Sequence, residues 1–175
     1  MATEPRADKV ELEIVTPKGR ALSVQADEVT APSVDGEFGV MPGHLPLLAA
    51  LRTGIVSYRI GGDTKRVAVG AGFAEAGPNK VAILTDEYIE REQIDPVVVR
   101  KELADVQAQI AKPADGTENG AELAMAGLIA RENWLAAQLE LYGDPPPATM
   151  RPFETFGPPA GPDDTEIPAA SDESA

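Results

Sequence analysis

The chain contains no cysteine, so neither a disulfide framework nor a thiolate metal site can form. Histidine occurs once, as His44, which removes most histidine-rich metal centres and most catalytic triads. Aromatic residues are only 5% of the chain, so the core implied by an apolar fraction of 43% is an aliphatic one. No run of about 18 apolar residues occurs, and Met1–Asp8 lacks the basic and apolar stretches of an export signal. A soluble chain with no visible signal is expected. Positive charge is scarce too: 15 Lys and Arg against 29 Asp and Glu give a formal net charge of −14. That balance argues against nucleic acid or an anionic membrane surface as partner, since both require cations to displace counterions.

The residues present divide the chain into three parts. Val10, Leu12 and Ile14 alternate with Glu11 and Glu13, the period-2 mark of a half-buried strand. Pro17-Lys18-Gly19 predicts a turn into a second strand at Ala21–Val24. A third is expected at Glu28–Pro32, where Pro32 cannot donate to a ladder and predicts a sheet edge. Asp35-Gly36 signals a hairpin. Further apolar runs at Leu47–Leu51, Ile55–Ile60, Lys65–Val69 and Val81–Leu84 are separated by turn residues at about 8–12-residue spacing, which predicts an all-β sandwich or barrel.

The period changes at Ile94. Asp95-Pro96 is an N-cap followed by proline at the first helical position, and Val99, Leu103, Val106 and Ile110 then form one narrow stripe. Lys112–Gly116 stops this helix. After a loop through Gly120, a second helix is expected over Ala121–Tyr142, with Met125, Leu128, Leu135, Leu139 and Tyr142 on one side and Gly143 as its cap. Two such helices make an antiparallel hairpin. Their alanine-rich stripes bury modestly against each other, a few kcal/mol at about 25 cal/mol per Å2 before entropy, so either a passive prop or a mobile arm is compatible. Residues 143–175 hold eight of the sixteen prolines and seven acids against Arg151 alone, a composition expected to be disordered.

Few constellations suggest chemistry. Ser23, Ser33 and Ser57 have no nucleophile-elbow context, and a lone histidine after Pro-Gly is expected to hydrogen-bond a turn. Gly70-Ala71-Gly72 begins a GxGxxxxG spacing, but a strand rather than a helix follows, so a strand bend is expected instead of a dinucleotide site. Glu87, Glu90, Glu92 and Asp95 lack EF-hand order and read as a solvated linker between domains.

The most specific stretch is Gly36-Glu37-Phe38-Gly39-Val40-Met41-Pro42-Gly43-His44-Leu45-Pro46-Leu47-Leu48. Three glycines and two prolines punctuate apolar residues, which predicts strand, tight corner, strand, held in one shape. Such a corner either meets a partner or merely turns a sandwich. Almost letter for letter it resembles the signature loop of the epsilon subunit of the bacterial F-type ATP synthase, and the resemblance extends over residues 8–142.

That resemblance implies an N-terminal β-sandwich (residues 1–90), a C-terminal helical hairpin (91–142) and, outside the family pattern, the acidic tail (143–175). The fold class is thus mostly β with an α-helical C-terminal hairpin. It implies a noncatalytic rotor subunit at the foot of the central stalk, with no cofactor, bound to the gamma subunit and the c-ring and coupling rotation to ATP synthesis elsewhere. Glu37, Phe38, Pro42, Gly43 and His44 are the interface residues carried over, with Phe38 as a pocket anchor. Localisation follows as peripheral, on the cytoplasmic face of the cell inner membrane. In family members that inhibit hydrolysis the helices extend to the catalytic beta subunit through basic side chains, so Arg100 and Arg131 are the candidates for a regulatory arm. Arg131 is the only basic residue of the second helix, beside Glu122, Glu132 and Glu140, which implies weak inhibition. The family's ATP motif is broken: Ile94-Asp95 is kept, but Val98-Val99 stand where Arg-Ala belongs, implying weak or absent ATP binding. From the residues alone, a stand-alone β-sandwich binding module that self-associates through its hairpin remains the alternative. An ATP-sensing regulator and an independent enzyme are weaker readings.

Overall fold

A computed structural model describes residues 8–112 and 118–145. Ten strands come first: β1 (Val10–Thr16), β2 (Gly19–Ala26), β3 (Glu28–Ser33), β4 (Gly36–Val40), β5 (Leu47–Leu51), β6 (Gly54–Ile60), β7 (Asp63–Val69), β8 (Gly72–Ala76), β9 (Lys80–Thr85) and β10 (Tyr88–Glu90). A 3-10 turn at Arg91–Gln93 leads into α1 (Pro96–Ile110) and α2 (Glu118–Tyr142). The strand order is β10-β7-β6-β3-β5-β8-β9-β1-β2, with β4 added on β3. All pairings are antiparallel except β1 with β9. β3 and β5 share the single pair Ser33↔Leu51, and there the sheet folds over into two layers.

The interior follows the expected alternation. Val10, Leu12 and Ile14 are fully buried and meet Val29, Val56, Val69, Val81 and Ile83 in one aliphatic core. Pro32 departs from expectation. It is buried in β3, which has neighbours on both sides, not at an edge. β3 pairs with β6 through Thr30 and with β5 only at Ser33. Pro32 stands in the gap where the neighbour changes, so no ladder there requires its missing donor.

The stretch expected to be a solvated linker is folded. Tyr88–Glu90 pairs with β7, the Tyr88 hydroxyl donates to Glu90 Oε1 at 2.7 Å, and the Glu90 amide donates to Gln93 Oε1 at 3.1 Å. Asp95 then caps α1, its Oδ1 accepting from the amides of Val97 (3.0 Å) and Val98 (3.3 Å).

α1 buries Val99, Leu103 and Val106 as its stripe predicts. α2 starts earlier than expected, at Glu118, and it does more than face α1. Residues 134–139 are buried on every side, because α2 lies between α1 and the outer face of β6 and β7. Trp134, Leu135, Leu139 and Leu141 share a second core with Ala68, and Ile55 and Ile89 pack against it from the strands. The expectation of modest burial counted helix against helix only; Trp134 alone brings roughly 200 Å2, about 5 kcal/mol as an upper bound. Tyr142, expected on the stripe, is instead 37% exposed, with Arg91 over its ring at 5.6 Å. At the end of α2 the Gly143 and Asp144 amides both donate to the Leu139 carbonyl, at 3.1 and 2.9 Å. The expected helix stop at 113–116 and residues 146–175 of the expected disordered tail lie outside the described residues.

Candidate functional site: a pinned corner and a bare sheet face

The Gly36–Leu48 stretch forms β4, a corner and the start of β5. β4 pairs only with β3, closing a hairpin around Val34-Asp35. Ser33, nearly buried, secures it: its hydroxyl donates to the Gly36 carbonyl at 2.7 Å and accepts from the Asp35 amide at 3.1 Å. Gly36 (φ 122°) and Gly43 (φ 84°) both occupy backbone regions that disfavour a side chain. The Gly43 amide donates to the Pro78 carbonyl at 2.7 Å, tying the corner to the β8–β9 turn. The His44 amide donates to the Met41 carbonyl at 3.1 Å, and His44 Nδ1 donates to the Leu45 carbonyl at 2.6 Å, the turn-bonding role expected of this histidine. The corner is pinned by five hydrogen bonds.

Its side chains divide differently from expectation. Glu37 and Gly43 are exposed, and Pro42 and His44 are half-buried. Phe38, the expected anchor, is also half-buried and turned onto the sandwich core. The apolar groups offered outward are Leu45, 80% exposed, and Met41, 55% exposed. Residue counting found neither, because a single outward side chain has no periodicity. Leu48 was detectable: adjacent Leu47 and Leu48 in a strand cannot both point inward, and Leu48 is the outer one.

Beyond Leu48 the same surface continues across the sheet. Ala50 pairs with Phe73, Phe73 with Leu84, and Leu84 with Val15, an apolar row across β5, β8, β9 and β1. Phe73 and Leu84 are more than half exposed. The helices cover the outer face of the other layer, so among the described residues this face stays bare. The suspected dinucleotide-like stretch is the strand bend it was expected to be: a Cβ on Gly72 would stand 2.0 Å from the Leu84 carbonyl oxygen.

Arg100 and Arg131 are not brought to either surface. Arg100 pairs with Asp144. Arg131 bonds Glu102 of α1 at 2.8 Å (Nε) and 2.5 Å (Nη2), with Glu87 of the β9–β10 loop at 3.6 Å. Burial holds the Glu87 carboxyl above its usual range, the Arg131 charge opposing and the Asp86 charge adding to the rise. Among the described residues no group of three or more His, Asp or Glu side chains could hold a metal ion.

Residues 9–91 match the family model for the ATP synthase delta/epsilon chain β-sandwich domain. The ATP synthase epsilon chain of Syntrophobacter fumaroxidans is 38% identical over 126 residues, covering 71% of this chain and 94% of that one. That of Nitratidesulfovibrio vulgaris is 40% identical over 121 residues, covering 69% and 90%. This chain belongs to the ATP synthase epsilon chain family. A chain in the structure of the Euglena gracilis mitochondrial ATP synthase (OSCP, F1 and c-ring) shares the fold at a TM-score of 0.66 and 21% identity, covering 80% of this chain and 84% of that one. An epsilon chain is a component of an enzyme complex.

Proposed function

We propose that this chain is the noncatalytic epsilon subunit of a proton-translocating F-type ATP synthase, seated in the central stalk and coupling c-ring rotation to ATP synthesis in the catalytic head. Family membership over nearly the whole length of its relatives carries the proposal. The pinned corner meets the c-ring: a joint under torque needs a loop that does not yield, and this one is held by five hydrogen bonds. Glu37, Pro42, Gly43 and His44 remain the interface residues, and Leu45 and Met41 supply the apolar contact once assigned to Phe38. The bare row of Ala50, Phe73 and Leu84 is the docking face for gamma, because a large exposed apolar patch marks an association surface. No helix among the described residues is long and apolar enough to cross a membrane, and attachment is peripheral, on the cytoplasmic face, through these protein contacts.

Hydrolysis is inhibited weakly at most, since Arg131, the lone cation of α2, already faces two carboxylates of its own chain. ATP does not bind: Asp95 caps α1, and Val98 and Val99 take the place of the cation and small residue of the ATP motif. Calorimetry with ATP is expected to give no saturable heat; micromolar binding would overturn this. The stalk assignment is tested by pull-down of the tagged chain from detergent-solubilised membranes. Recovery of gamma, the catalytic subunits and the c-ring is expected, with the c-ring share reduced by Glu37→Lys combined with Leu45→Ala. If conditions that keep the synthase whole recover none of them, the stand-alone binding module takes its place.

A further inference from the structure

We infer that Arg131 is a two-ended clasp that holds α2 to α1 and to the sandwich at the same time. α1 reaches the strands chiefly through α2, which alone makes extensive contact with β6 and β7. Between these three bodies stands a single guanidinium. Its tight end grips Glu102 of α1 with two hydrogen bonds, 2.5 and 2.8 Å. Its loose end reaches Glu87 of the sandwich at 3.6 Å, beyond hydrogen-bond distance. The remaining polar ties across these surfaces join only two bodies each: Gln107 with Glu132 and Arg100 with Asp144 between α1 and the α2 segment, Arg66 with Glu140 between β7 and α2, and Arg91 with the Tyr142 carbonyl between the 3-10 turn and α2. Arg131 is therefore the group whose removal loosens both interfaces together. Its planar fork suits two carboxylates at once, which an ammonium cannot match.

Asymmetry sets the order of release. Two short charge-assisted bonds outlast one longer ion pair. When the helices leave the strands, Arg131 departs with Glu102, and the hairpin moves as a pair instead of opening like a book.

Trp134, the only tryptophan, sits one turn from Arg131 and is 6% exposed between α2 and the sheet. Its quenching by neutral acrylamide reports the sandwich contact, and amide exchange over residues 96–110 reports the contact between helices. In the full-length chain, Arg131→Gln is expected to raise both about three- to tenfold, while the amides of β1 and β9 keep their protection. Combining Glu102→Arg with Arg131→Glu restores exchange in α1 but leaves Trp134 quenching high, because the new glutamate faces Glu87. Adding Glu87→Arg restores both. If Arg131→Gln does not fold, wild type in about 1 M salt, where charges are screened within about 3 Å, is expected to show raised Trp134 quenching through the 3.6 Å end, while the closer Glu102 end holds α1 exchange near its low-salt value. Wild-type values for both readouts in Arg131→Gln, or Trp134 quenching unmoved by high salt, would overturn the clasp. So would a double exchange that restores the two readouts together. These measurements need no other subunit, so their failure leaves the stalk assignment standing, and a failed pull-down leaves the clasp standing.

Discussion

Single carboxylates in this fold are placed for opposite pH effects. Glu13 takes a hydrogen bond from Lys80 at 2.5 Å, which lowers its pKa against the opposing effect of desolvation, with Arg20 adding a weaker attraction. Asp27 is lowered first by Lys9, at 3.0 Å, and next by the Gly61 amide, at 2.6 Å. Both carboxyls bind a proton less readily folded than unfolded. The stability they confer is present above the ordinary carboxyl range and is lost as pH falls through their lowered values, below about pH 4. Thermal unfolding is expected to shift to lower temperature across that window. Lys80→Met should flatten the shift; an identical acid profile in the variant would refute the Glu13 assignment. Glu87 has the reverse sign, because burial raises it and the folded chain holds its proton more tightly. Such contrasts were not legible in the sequence, where Glu13 and Glu87 are simply acids near apolar runs.

At the scale of elements, what could be read depended on how many partners an element has. β1 has one buried face, and the alternation of Val10, Leu12 and Ile14 announced it. α1 packs on one side, so its four-residue stripe and its Asp95-Pro96 start were visible. α2 has two partners, and a search for one stripe passed over Trp134 and Leu141. The three-residue β10 is too short to display a period, so an acidic strand and turn looked like a linker. The Asp95 cap is the element-level feature most open to test. Asp95→Ala leaves the amides of Val97 and Val98 without their acceptor and is expected to cost about 1 kcal/mol. Hydrogen exchange should show the loss in residues 96–110 and not in β1. Loss spread evenly through the sandwich would mean that the hairpin and strands unfold only together.

Considered as a whole, the molecule is lopsided. Its two layers share one core, yet the helices close the outer face of β6, β7 and β10 and, among the described residues, leave that of β5, β8 and β9 uncovered. A chain stable by itself has no need of the row Ala50, Phe73, Leu84, and the next row is already interrupted by Glu75. The row joins Leu48, 73% exposed, where β5 leaves the corner, so the proposed c-ring and gamma contacts form one continuous surface with the corner at its end. A rotor component transmitting torque benefits from that continuity, since strain entering at Gly43 passes into β5 through backbone and not through a flexible joint. Phe73→Glu separates folding from assembly. The ring is 58% exposed, so the variant is expected to unfold within about 0.5 kcal/mol of wild type in urea. Recovery of gamma in the pull-down should fall sharply, because the substitution asks a partner to bury an unpaired charge. Undiminished recovery of gamma by a folded Phe73→Glu chain would remove the bare face from the stalk interface and leave the corner as the candidate joint.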